Sequence, residues 1–100
     1  MTYVESLAAL ADPTRRQIYE RVTRGAGSVA DLSAGFPITR PAVSQHLKVL
    51  SDAGLVIAEK RGTRRIYSAA PEGLSELRRY LDGLWEDVLG DFAKSFEKDH

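Results

Sequence analysis

The chain has 100 residues and no cysteine, which fits a single domain and excludes disulfides, Cys–zinc sites and Cys nucleophiles. Hydrophobic residues make up 43% and charged residues 28%, a globular mix that excludes wholesale disorder. The net charge is zero, but residues 40–65 hold an excess of four positive charges and residues 66–100 an excess of four negative ones. A basic middle of this kind suits phosphate, with the acidic end facing elsewhere; it also suits ordinary solvated charge. No apolar run approaches the ~20 residues of a membrane helix. Met1-Thr2-Tyr3-Val4-Glu5 places no basic region ahead of an apolar stretch, so no signal peptide is expected. A cytoplasmic protein is.

In chain order, Val4, Leu7, Ala8 and Ala11 share one face of a first helix. Asp12-Pro13 restarts the chain as cap and first residue of a second. Ile18, Tyr19 and Val22 form its apolar face, and Gly25-Ala26-Gly27 ends it. Val29 reads as a short extended residue. A third, short helix runs through Asp31 and Leu32 to about Ala34, before Gly35. Thr39 caps a fourth helix with Pro41 in its first turn. Val43, Leu47 and Leu50, at i, i+4 and i+7, give it a core face, and Gly54 stops it. Two short helices joined by a tight turn make a helix-turn-helix.

Leu55-Val56-Ile57-Ala58-Glu59-Lys60 and Arg64-Arg65-Ile66-Tyr67-Ser68 read as strands around the turn Arg61-Gly62-Thr63, a β-hairpin with a cationic tip. Pro71 opens a last helix, whose apolar residues step by three and four to near the C-terminus. Gly83 and Gly90 interrupt it, and a bend at Gly90 is one option. Leu81, Trp85, Val88, Phe92 and Phe96 exceed what so small a domain can cover, leaving an apolar patch on a lone chain. A core shared with a second copy is expected, with Leu7 of the first helix joining it.

On the fourth helix Pro41, Gln45, Lys48 and Asp52 lie opposite the core, with Ser44 beside them and Arg40 in the first turn. The N-terminal part of such a helix enters the DNA major groove. Arg40, Ser44 and Gln45 are the base-reading candidates, since Arg pairs with guanine edges, Gln with adenine and Ser with several. Lys48 and the Thr39 end of the helix suit phosphate, as do Arg61, Arg64 and Arg65 at the hairpin tip, which also suit a narrow minor groove. Arg15 is a further phosphate candidate, with an internal salt bridge as its alternative. The same helix face also suits plain solvent exposure, and the arginines can instead keep a sheet edge from aggregating.

His46 flanks the core face and suits packing or hydrogen bonding better than ligation. His100 is terminal. No cofactor is expected, and no metal either. With two histidines and no cysteine, a transition-metal site would draw on carboxylates such as Asp82, Glu86 and Asp87. There is no Gly-rich phosphate loop and no nucleophile elbow, so no enzyme chemistry is expected.

Four stretches, Leu10-Ala11-Asp12-Pro13-Thr14-Arg15-Arg16, Ser44-Gln45-His46-Leu47-Lys48-Val49-Leu50, Ala53-Gly54-Leu55-Val56 and Arg61-Gly62-Thr63-Arg64-Arg65-Ile66-Tyr67, together resemble the ArsR-type winged-helix repressors over nearly the whole chain. The resemblance implies a cytoplasmic bacterial or archaeal homodimer that binds an operator near its own promoter. It implies dimerisation through the first and last helices and a recognition element from Thr39 to Lys48. The Cys motif of metal-sensing members would fall at Val29 to Leu32, where this chain has Ala30 and Asp31. The last helix has no His before His100. Thr39 to His46 looks like the metal-independent branch.

The expected fold is mainly α with a small β-hairpin wing, a winged helix-turn-helix of order α-α-α-α-β-β-α in one domain over residues 1–100. The helix-turn-helix spans about 30–53, the wing about 55–69 and the C-terminal dimerisation helix about 71–97. The expected function is sequence-specific binding of double-stranded DNA by a homodimeric repressor. A sensor with a non-Cys site and a protein-interaction module without DNA readout are the alternatives, and the sequence names no effector.

Overall fold

The computed structural model describes residues 3–98. The elements are α1 (Tyr3–Ala11), α2 (Pro13–Arg24), α3 (Val29–Ser33), α4 (Arg40–Asp52), β1 (Val56–Arg61), β2 (Arg64–Ala69) and α5 (Ser75–Lys98). This is a mainly helical winged helix-turn-helix with one antiparallel hairpin, in the expected order.

Local chemistry sets the helix starts. Asp12 Oδ1 accepts the Arg15 N–H at 3.0 Å, and Pro13 takes the first position of α2, where a missing N–H costs nothing. Thr39 Oγ1 accepts the Ala42 N–H at 3.2 Å and caps α4. Ser28 and Asp31 form a reciprocal capping box on α3. That box draws Val29 into the first helical turn, so Val29 is not extended as its sequence context suggests. The extended residue is Gly27, which exchanges two backbone hydrogen bonds with Tyr67, at 3.1 and 2.8 Å.

The core sits where α2, α3, α4 and β1 meet. Ile18, Leu32, Val43, Leu47, Leu50 and Leu55 have no exposed surface. Chain direction changes at the end of α4. Gly54 has φ +78°, a backbone state that favours glycine. The Leu55 N–H bonds to Leu50 O at 2.9 Å and the Gly54 N–H to Ser51 O at 3.0 Å. This is a Schellman motif, completed by the buried contact pair Leu50 and Leu55. It delivers the chain straight into β1.

β1 and β2 pair from Val56↔Ala69 to Arg61↔Arg64. The two-residue turn between them has positive φ at Gly62 and not at Thr63, the pattern of a type II′ hairpin, whose twist matches that of the strands.

Pro71 opens a turn over residues 71–74, and α5 begins at Ser75 rather than at Pro71. The cause lies in Gly73. A Cβ there would stand 2.6 Å from Gly54 O and 2.9 Å from Leu55 Cα. The turn thus packs backbone to backbone on the corner that ends α4. α5 then runs unbroken through Gly83 and Gly90. Among its described residues only Leu77 is buried. Leu81, Trp85, Val88, Phe92 and Phe96 stay exposed, Trp85 by 64%. α1 lies on the start of α5, with the Tyr3 and Tyr80 rings stacked at 4.0 Å. It buries Ser6 and Ala9 and leaves Val4 and Leu7 outside. Among the described residues no helix is long and apolar enough to cross a membrane.

The two glycines on either side of the start of α5 respond oppositely to a methyl group. Gly73→Ala lowers the unfolding free energy by about 1–3 kcal/mol through overpacking. Gly83→Ala, with nothing near its Cβ position, raises it by up to about 1 kcal/mol. Urea unfolding at one fixed protein concentration measures both.

Candidate nucleic-acid interface

The Schellman corner turns β1 back alongside α4, so the outer face of the helix and the hairpin flank one cleft. Its volume is about 220 Å³, and Ser44, Gln45, Lys48, Arg65 and Tyr67 are among its lining residues. Four side chains singled out in the sequence, Ser44, Gln45, Lys48 and Arg65, are therefore brought together. Arg40 and Thr39 sit at the N-terminal end of α4, exposed and outside the cleft lining. The Thr39 hydroxyl oxygen already accepts the Ala42 N–H. Donors in this patch suit base edges, and the cations suit phosphate.

Strand alternation divides the hairpin cations between two faces. Lys60 pairs with Arg65 and Arg61 with Arg64. On the face of Arg61 and Arg64, both cations meet carboxylates. Arg61 Nη2 lies 3.6 Å from Glu59 Oε2, an exposed and weak pair. Arg64 Nη2 donates to Asp31 Oδ2 and to Ser28 Oγ, each at 2.8 Å. Among the described residues, neither Lys60 nor Arg65 is in an ion pair. Lys60 is absent from the residues picked out by sequence. Its signal was the alternation itself, which places it beside Arg65 once the hairpin register is fixed.

Arg64 thus fastens the wing to the N-terminus of α3. Asp31 is the centre of this latch. Its Oδ2 accepts the Ser28 N–H at 3.1 Å, and its own N–H donates to Ser28 Oγ at 3.2 Å. Hydrogen bonds from the Ser28 backbone, then from its hydroxyl, hold the Asp31 carboxyl below the usual carboxylate range, and the Arg64 charge adds to them.

Arg15 stands apart from the α4–wing cleft. Its Nε donates to Ala9 O at 2.6 Å and its Nη2 to Ala8 O at 3.4 Å. Arg16 Nη1 donates to Leu10 O at 2.9 Å. The last carbonyls of α1 lack helical partners, and these two arginines supply them. Arg15 lines a separate groove between α1 and α4. It is therefore engaged by α1, and among the described residues it is in no salt bridge.

His46 is half-buried on α4, and the Asp12 carboxyl at the start of α2 is held below the usual carboxylate range. The main cause of that carboxyl's lowered pKa is the Arg15 backbone N–H. Glu86 and Asp87 are exposed on α5. Among the described residues no three His, Cys, Asp or Glu side chains are grouped to hold a metal ion. His100 lies outside the described residues. Of the interface candidates, Leu7, Leu81, Trp85, Val88, Phe92 and Phe96 are all exposed. Phe92 and Phe96 meet edge to face at 4.7 Å.

Comparison with known proteins gives a consistent result. Residues 10–57 match a family model described as a helix-turn-helix domain. The chain is 47% identical to the HTH-type transcriptional regulator Rv2034 of Mycobacterium tuberculosis, over 91% of this chain and 85% of that protein. It is 37% identical to the arsenical resistance operon repressor of Bacillus subtilis, over 97% of this chain and 88% of the repressor. Among solved structures, it resembles the homodimeric winged helix-turn-helix DNA-binding domain of Mb0332 from Mycobacterium bovis, a possible ArsR-family transcriptional regulator. That match has a TM-score of 0.67 and 26% identity, over 84% of this chain and 78% of that one.

The latch has a defined pH signature. Because the folded-state pKa of Asp31 is depressed, its stabilisation is fully present above the unfolded value of about 3.9. It is lost as pH falls through the folded value. The difference in thermal midpoint between the wild type and Asp31→Asn should stay constant from about pH 5 to 8 and shrink below about pH 4. Paired melting curves across that range test it.

Proposed function

The chain belongs to the ArsR-type family of winged helix-turn-helix regulators, and from that premise we propose that it is a sequence-specific, double-stranded DNA-binding transcriptional repressor acting as a cytoplasmic homodimer. The observation that carries the reading is the cleft between α4 and the wing, which gathers Ser44, Gln45, Lys48 and Arg65. Arg40, Ser44 and Gln45 read base edges in the major groove. Thr39, Lys48 and Arg65 hold phosphate, and Lys60 joins them on the wing face it shares with Arg65. Arg61 and Arg64 stand at the same tip with their charges partly met. Arg15 serves α1, and we assign it no DNA contact.

The exposed stripe of α5, with Val4 and Leu7 of α1 beside it, supports pairing with a second copy. A two-fold dimer places two recognition helices on one side of the duplex. Its operator is then a near-palindrome with half-sites about one helical turn apart. We place the chain in the metal-independent branch, because Ala30 and Asp31 stand where the Cys motif of metal sensors falls and Asp31 is committed to the latch. The protein works by binding, in one domain, and makes no use of catalysis.

Selection from random duplex DNA at about 150 mM salt tests the reading, since specific affinity is interpretable only at stated salt. An enriched inverted repeat is the expected result. Recovery of no sequence preference from folded, dimeric protein overturns it. On the selected operator, Gln45→Ala should cost about 1–3 kcal/mol at one base pair of each half-site and relax preference there. A pool selected by the variant that matches the wild-type pool sinks the docking. Trp85→Glu should give a monomer in sedimentation velocity and abolish operator binding, because a charge on the stripe opposes its burial against a partner.

A further inference from the structure

Arg64 is a cation at the tip of a DNA-facing wing, yet it is already bound. Its Nη2 meets Asp31 Oδ2 and Ser28 Oγ at 2.8 Å each. One nitrogen of the guanidinium meets both a carboxylate oxygen and a hydroxyl oxygen, in a half-exposed ion pair that an arriving phosphate must displace to use that nitrogen. The carboxylate is itself anchored, by the Ser28 N–H at 3.1 Å. Two backbone hydrogen bonds between Gly27 and Tyr67 fix the same segment beside β2. On the other face of the hairpin, Lys60 and Arg65 are in no ion pair among the described residues.

We propose that Asp31 is a positioning residue that occupies Arg64 in competition with DNA phosphate, so that the wing grips the backbone through Lys60 and Arg65 and withholds one cation per subunit. This inference rests on the DNA-binding reading above and adds to it a limit on sequence-independent affinity. Each cation that meets a phosphate tightens binding to every sequence alike. A carboxylate that removes one such contact lowers binding to arbitrary duplex, and the base-reading patch on α4 is left as it is. Asp31 touches no DNA in this scheme and acts through Arg64.

The test compares the wild type with Asp31→Asn, Arg64→Gln and the double variant, each first shown to be folded and dimeric. Asn keeps an acceptor for the Ser28 N–H, so the α3 cap survives, while the charge that holds Arg64 is gone. Binding to a duplex of arbitrary sequence is measured from about 50 to 200 mM salt. Asp31→Asn should tighten this binding several-fold at the low-salt end. It should steepen the plot of log affinity against log salt by about 0.9 for each subunit bound. In the Arg64→Gln background the same substitution should leave the slope unchanged. Weaker binding with an unaltered slope in Asp31→Asn overturns the proposal, since it shows a carboxylate that only props up the wing. A steeper slope that persists without Arg64 also overturns it, since the effect is then one of net charge. Absence of salt-dependent binding by the wild type refutes the DNA-binding reading itself and this inference with it.

Discussion

The contact on which the molecule depends is the backbone-to-backbone packing at the end of α4. Gly54 reverses the chain, Leu50 and Leu55 seal the reversal, and Gly73 rests where no side chain fits. Three things follow from that corner. The strand leaving it runs alongside the helix entering it, so α4 and the wing share a cleft. The Ala70 N–H bonds to Leu55 O at 3.0 Å, which returns β2 to the same point. The start of α5 is set against the end of α4, which fixes the long helix relative to the reading face.

The parts that depend on near neighbours in sequence were legible. Thr39, Pro41 and the spacing of Val43, Leu47 and Leu50 define α4 from residues three and four apart. Gly62 marks the hairpin turn through one required φ. The exposed stripe of α5 was readable as an excess of large apolar groups. Several illegible features rest on long-range contacts. Nothing near Arg64 in sequence says that its partners stand 33 and 36 residues earlier, so Arg64 and Arg65 looked alike. Pro71 carries a helix-start signal that loses to the packing of Gly73 on a corner nearly twenty residues back. Val29 reads as extended until its neighbour Ser28 is seen to cap a helix. Arg15 reads as a phosphate or salt-bridge residue, because the carbonyls it serves belong to the preceding helix. Lys60 is legible in principle, because strand alternation puts it on the face of Arg65 once the register is known.

The zero net charge conceals a working arrangement. Basic groups gather in residues 40–65 and acidic groups after residue 66, which keeps the acidic helix α5 in a different part of the chain from the cleft. Within the wing a finer sorting operates. Glu59 and Asp31 pair with the cations of one face, and among the described residues Lys60 and Arg65 on the other face are in no ion pair, although Asp52 lines the same cleft as Arg65. Field and local pairing thus point the same way, and a count of charges reports neither.

The bare stripe of α5 also determines how the protein answers to its own abundance. A helix of 24 residues with one buried side chain among its described residues draws little support from its own chain, and its stability comes from what it docks against. Pairing is a mass-action step, so at low abundance the amount of paired protein rises as the square of the amount made. Occupancy of an operator by the proposed dimer would therefore change more sharply than synthesis does in that range. In the dimer proposed above, the uncovered row of Leu, Trp, Val and Phe side chains would then set a threshold in abundance.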